Sequence, residues 1–253
     1  MLNVALVESE RRACHFARQH HERSPALIHH RARLRVACLA ALAATAAGCA
    51  VPQDKPARRT AARVMVEPPL KSDAWMQLAT AADRARIARL SLAWQSALAD
   101  ARPRFAGEIR KEGALLRPNA ALPRPAPTPG SYNCRLIKLG KGTARAAAFE
   151  RFKPFFCYVQ VEEDLLTIVQ QTGSQRPAGR LWEDDNPERL VFLGSLALGD
   201  EQQPLAYGDD PKRDMAGVLE RIAPFRWRLV IPWPQSTSKL DVFELTPVAD
   251  QPE

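Results

Sequence analysis

No histidine follows His30 in this 253-residue sequence; all five (His15, His20, His21, His29 and His30) lie in its first thirty positions. Histidine is the commonest general base and metal ligand, so its absence removes Ser-His-Asp and Cys-His triads and the usual zinc sites from the downstream chain. The apolar run Val36–Ala47 is a dozen residues long, short of the roughly 20 that a membrane-crossing helix needs. Net charge is +8, but residues 1–48 hold seven arginines against three glutamates, so the remainder carries only +4. Nucleic acid is therefore not an expected partner, and no cofactor or metal is expected.

What is present early in the chain reads as an address. Arg31, Arg33 and Arg35 precede Val36–Ala47, and small residues follow it, the three regions of a secretory signal. Ala46-Ala47-Gly48-Cys49 resembles a lipobox, with Ala46 where leucine is usual, which implies lipidation at Cys49. Ala50 rather than aspartate after it implies the outer membrane. The alternative is an Ala-rich core helix ending at Gly48. Residues 1–30 are polar and lack sustained periodicity, so they read as a reading frame begun too far upstream. A cytosolic extension or His-rich metal tract is the alternative.

Five cysteines then sort by position. Cys14 and Cys38 belong to the leader and Cys49 to the lipid, leaving Cys134 and Cys157. An even pair in an oxidising compartment reads as a disulfide. The competing reading, a reactive thiol, lacks a histidine or helix N-terminus to lower its pKa.

Composition divides the rest. Residues 49–71 are rich in Pro, Ala and Arg without apolar period, a flexible tether. Residues 72–130 read as a helical segment and a strap: Ser72 is a candidate N-cap, and Thr80-Ala81-Ala82-Asp83 has capping-box form. Ile87, Leu90, Trp94 and Leu98 recur at helical spacing, with Arg84, Arg86 and Arg89 expected outward. Trp75 and Trp94 read as core anchors. Pro103 should break or kink the helix, with a shorter piece over Phe105–Leu116, and five prolines mark 117–130.

Residues 131–248 carry eight short β-prone runs separated by Gly, Pro and acidic turns. The clearest, Phe225-Arg226-Trp227-Arg228-Leu229, alternates apolar and basic as a strand with one wet face should. With no crossover helices, the expected fold class is α+β: a helical segment, then an antiparallel β meander of about eight strands, a small barrel or a strongly curved sheet. Residues 249–253 form a tail.

Few stretches carry candidate chemistry. Leu139-Gly140-Lys141-Gly142-Thr143 lacks the upstream glycine of a phosphate loop and reads as a turn. Acidic clusters at Trp182–Asn186 and Gly208–Asp210 follow no cation-loop spacing and read as turns too. The donor-rich loop Gln170–Pro177 is the most unusual stretch. One reading is a solvated hairpin with Gly173 at a positive-φ position. The other sets Gln171, Ser174, Gln175 and Arg176 at the mouth of a barrel or cleft, with Arg176 gripping a carboxylate or phosphate.

The ordered series GSYNCRLIKLG, FFCYV, QTGSQRPAG, RLVFLGS, YGDD, RDMAGVLERI, FRWRLVIPWP and LDVFEL resembles a family of secreted bacterial proteins filed as domain of unknown function 4893. The resemblance spans about residues 72–248 and implies an envelope protein with helices followed by a β domain. It implies no activity. Cys134 and Cys157 both fall within its motifs, in agreement with the disulfide.

The functional expectation is a lipid-anchored envelope protein on the periplasmic face of the outer membrane, or a secreted periplasmic one. Its leading role is non-enzymatic binding of a small amphiphile, cell-wall fragment or protein partner. Alternatives are a histidine-free hydrolase using Asp184, Asp185, Asp209 or Asp214, and a structural assembly protein docking through Ile87, Leu90 and Trp94.

Overall fold

A computed structural model describes residues 70–249. The expected signal, Cys49 and almost all of the tether lie outside that range. Three helices come first: α1 (Asp73–Leu78), α2 (Ala81–Ala88) and α3 (Leu90–Lys111), followed by a 3-10 turn at Gly113–Leu116. Nine strands follow: β1 (Gly130–Lys141), β2 (Phe149–Arg151), β3 (Phe155–Glu162), β4 (Leu165–Gln170), β5 (Gln175–Glu183), β6 (Arg189–Leu198), β7 (Asp214–Ala223), β8 (Arg226–Pro232) and β9 (Ser238–Pro247). No described helix is long and apolar enough to cross a membrane.

The meander closes. Each strand from β3 to β9 pairs antiparallel with the next, and β1 pairs with both β3 and β9, giving an eight-stranded barrel. Short β2, absent from the sequence expectation, adds to β1 as an extra strand. Closure leaves none of the eight barrel strands with an open edge, which a curved sheet would have exposed.

Side chains alternate between two cores. Tyr132, Cys134, Leu181, Phe192, Trp227, Leu229 and Leu245 fill the barrel interior, where Tyr132 and Trp227 meet edge to face at 5.9 Å. Ile137, Leu139, Val191, Val218, Val230 and Val242 point outward and bury against Trp75, Ile87, Trp94 and Leu98 of the helices. The Cys134–Cys157 disulfide joins β1 to β3 inside the barrel, with Cα atoms 5.9 Å apart, ordinary spacing for such a bridge.

Helix α3 reaches the barrel wall at Gly140. A Cβ there would lie 2.7 Å from the Ala97 Cα, and the backbone has φ +72°, a left-handed conformation that glycine adopts without strain. Asp100 seals the contact, accepting from the Lys141 N–H at 2.8 Å and pairing with Lys239 at 2.7 Å. Gly140, expected in a turn, instead lies at the end of β1 and seats a helix. As expected from Pro103, α3 is kinked: two helical stretches meet at Phe105, whose backbone is non-helical.

Three local expectations are corrected. Ser72 does not cap α1 with its side chain; its hydroxyl donates to Asp185. Thr80 does cap α2, accepting from the Asp83 N–H, while its own N–H donates to the Tyr207 hydroxyl, which donates to Asp83. Arg86 is turned inward, paired with Asp83 and donating to the Trp233 carbonyl. The third correction is the largest. The Arg228 face of β8 is dry, and Arg228 is 0% exposed. It lies beneath the helices, pairs with Glu220 at 2.7 Å, and donates to the carbonyls of Ala114, Leu115, Arg117 and Pro118. Its guanidinium also sits 4.9 Å from the Trp94 ring centre. Phe225 falls outside the strand, at φ 54° and 73% exposed.

Candidate functional site

One end of the barrel is packed and the other is hollow. Towards the packed end, the disulfide, Tyr132, Trp227 and Leu245 leave no space for a ligand. At the opposite end, framed by the β4–β5, β6–β7 and β8–β9 connections, a cup of about 560 Å³ opens. This volume falls within the usual range of about 300–1,000 Å³ for small-molecule sites. Strand period dictates its wall: Leu136, Pro177, Leu196, Met215, Ile231 and Phe243 are the inward positions nearest the mouth. Phe155 and Phe243, edge to face at 6.4 Å, form the side nearest the packed half.

A hydrogen-bonded polar cluster lies on one side of the cup. Lys138 of β1 and Asp241 of β9 are register partners and pair at 2.8 Å. Lys138 also donates to the Ser236 hydroxyl at 3.0 Å, and Ser238 donates to the other Asp241 oxygen. Burial pushes the Asp241 carboxyl up, against the opposing pull of Lys138 and Ser238. Across the mouth, the Gln170 amide donates to the Thr172 carbonyl at 2.6 Å.

Asp214 borders the same cup. Its Oδ1 accepts from the Gly208 N–H at 2.9 Å, while its buried Oδ2 meets no donor among the described residues. Burial raises its pKa, the charges of Asp83 and Asp210 raise it further, and Gly208 and Arg86 oppose them.

The four loop residues singled out from sequence separate into two pairs. Ser174 and Gln175 border the cup. Gln171 and Arg176 instead line a smaller recess of about 270 Å³ beside Glu201 and Pro204. Gly173 has φ +108°, the conformation that the hairpin requires. Arg176 spends its donors on the carbonyls of Gly173, Gly199 and Glu201, stapling the β4–β5 hairpin to the β6–β7 loop.

The acidic candidates are dispersed. Asp184 accepts from the Trp75 indole at 3.1 Å and from Arg189 at 2.6 Å, and Asp185 holds the start of α1 through Lys71 and Ser72. Asp209 accepts from the Ala206 N–H at 3.2 Å. Among the described residues no group of three or more His, Cys, Asp or Glu is placed to hold a metal. Ile87 and Trp94 are buried against the barrel, so with half-buried Leu90 they offer no exposed apolar patch.

Sequence reasoning passed over Lys138, Asp241, Ser236 and Ser238. A signal for two of them existed. Lys138 shares the inward period-two face of Cys134 and Leu136, and Asp241 shares that of Phe243 and Leu245. A charge on an otherwise apolar, inward face is the mark of a buried polar site.

A family model described as Domain of unknown function (DUF4893) matches residues 75–245, from α1 to β9. No curated protein and no solved structure matches the chain.

Proposed function

The chain belongs to the DUF4893 family, and from that premise we propose an envelope protein that binds a small amphiphile in the open end of its barrel without altering it. The observation that carries this reading is the cup at one end of an otherwise filled barrel, with an apolar inner wall and polar groups, the Lys138–Asp241 pair among them, around its mouth. An apolar wall with a few convergent polar groups suits a ligand with a greasy body and a polar end.

The envelope address rests on the basic, apolar and small-residue order of residues 31–48 and the lipobox-like Cys49. The disulfide supports an oxidising compartment. On this reading Cys49 carries the lipid that tethers the domain to the periplasmic face of the outer membrane. Mass spectrometry of protein extracted from its own membrane should show a lipidated N-terminal Cys49; an unmodified chain starting at Met1 would remove the address.

The binding reading is tested by filling the cup. Met215 lies on its wall, and Met215→Trp should occupy the space. Calorimetric titration with dodecyl maltoside below its micellar concentration should show binding to the native protein and at least about tenfold weaker binding to the variant, equivalent to 1.4 kcal/mol. Thermal unfolding checks that the variant remains folded. Undiminished binding by a folded variant would place the ligand elsewhere.

A further inference from the structure

We infer that the amphiphile taken by the cup carries an anionic head group, a carboxylate or a phosphate, received by the Lys138 ammonium. The inference rests on the amphiphile reading of the same cup and adds the chemistry of the ligand's polar end.

Lys138 is a cation on the inward face of β1, next to Leu136 and opposite Asp241 at the cup. An ammonium has three N–H donors and no acceptor. Two are used, towards Asp241 at 2.8 Å and Ser236 at 3.0 Å, and the third has no acceptor among the described residues. Ser238 and Lys138 donate to different oxygens of Asp241. The pair is close to neutral as a unit and presents a spare charged donor to an apolar space. Gln170 and Gln235 turn their amide nitrogens to the carbonyls of Thr172 and Pro211.

The surrounding charge has the same sign. Arg86, Lys153, Lys212 and Arg213 border the cup with Lys138, against only Asp214 and Asp241. Arg86 is matched by Asp83, and Arg213 by Glu201 and Asp210. Lys153 and Lys212 have no acidic partner among the described residues. A cationic head would thus meet three ammonium groups and no unpaired carboxylate but Asp214. An anionic head meets a charged donor at the apolar boundary, where such hydrogen bonds are strongest. Exposed Phe152 beside Lys153 supplies an apolar lip over which a chain can enter.

Four single-chain probes of equal length separate the possibilities: dodecanoate, dodecyl phosphate, dodecyl maltoside and dodecyltrimethylammonium, each titrated below its micellar concentration. The protein variants are Lys138→Met/Asp241→Leu, which removes both charges so that neither is left buried alone, and Lys153→Ala/Lys212→Ala. At least one anion should bind about tenfold or more tighter than the trimethylammonium probe, the order expected of a charge-assisted hydrogen bond. The first variant should erase that preference while keeping affinity for the maltoside; the second should weaken it only partly. The ratio of dodecanoate to dodecyl phosphate tells a fatty-acid head from a phospholipid-type one.

Equal binding of all four probes would overturn the head-group inference and leave the amphiphile reading standing. A preference that survives in Lys138→Met/Asp241→Leu would overturn the role of Lys138. Failure of every probe to bind the native protein would overturn both readings.

Discussion

Arg228 shows how far one side chain can be committed to architecture. Its guanidinium is matched by Glu220, four carbonyls and the face of Trp94, all in the seam between barrel and helices. Burial pulls its pKa down against the charge of Glu220. Arg228→Ala leaves a buried carboxylate unpaired and should lower unfolding stability by roughly 3–5 kcal/mol in urea titrations. Arg228→Lys should recover little, because an ammonium cannot reproduce the planar fork of donors; near-native stability of that variant would show that the carbonyls do not need the fork.

Glu112 is the counterpart among the acids, accepting from Arg135 and Arg151. Burial raises its pKa, but the two arginines outweigh that and hold it below its ordinary 4.5. A lowered folded-state pKa means the carboxylate stabilises the fold above the ordinary value, and this contribution is lost as pH falls through the folded value. Glu112→Gln should cost roughly 1.5–3 kcal/mol at neutral pH, the scale of charged hydrogen bonds. The gap to the native protein should narrow below about pH 4.5; a gap constant down to pH 3 would contradict the assignment.

Elements meet where side chains are smallest. Gly140 lets α3 lie against β1, and the atom an added methyl would strike is the Ala97 Cα, which is backbone. Gly140→Ala should therefore destabilise by about 1–3 kcal/mol, the usual cost of overpacking, with strain at φ +72° in addition. Ala97→Gly should not rescue it, since it removes only a methyl; full rescue in denaturant titrations would relocate the clash. At this scale the sequence was informative. The N-cap at Thr80, the apolar stripe of α2 and α3 and the eight recognised runs, which became the eight barrel strands, depended on local spacing, and local spacing survives folding. β2 escaped because three residues, Phe149–Arg151, carry no period. It exists through pairing with β1, and Phe149 stacks on Phe105 at 5.4 Å.

For the whole molecule, closure brings the first barrel strand to the last: Leu136 faces Phe243 across the β1–β9 seam. Joining segments so distant in sequence costs loop entropy before it is rewarded, so the domain should fold in milliseconds to seconds rather than microseconds. Stopped-flow refolding of the disulfide-intact chain should show this, with slower phases from its 21 prolines separated by double-jump experiments. Complete recovery within the mixing time would contradict a closure-limited path. The same closure makes the cup, because one mouth can be filled by large inward residues while the other is left to Leu196, Met215 and Pro177.

Alternation, turn chemistry and cysteine arithmetic determined from the sequence alone that helices precede an antiparallel β region and that Cys134 joins Cys157. These are properties of neighbours along the chain and of a residue type with one natural partner. Tertiary structure decided the rest. The basic face of β8 looked wet because period two says that a face is different, not what covers it; the helices cover it. Gln175 reached the cup while Arg176 did not, because successive residues of a strand point to opposite sides; Ser174 borders the cup from the turn, and Gln171 lies on the other side with Arg176. Lys138 and Asp241 became a pair only when β1 met β9, a contact that no local pattern in either strand contains.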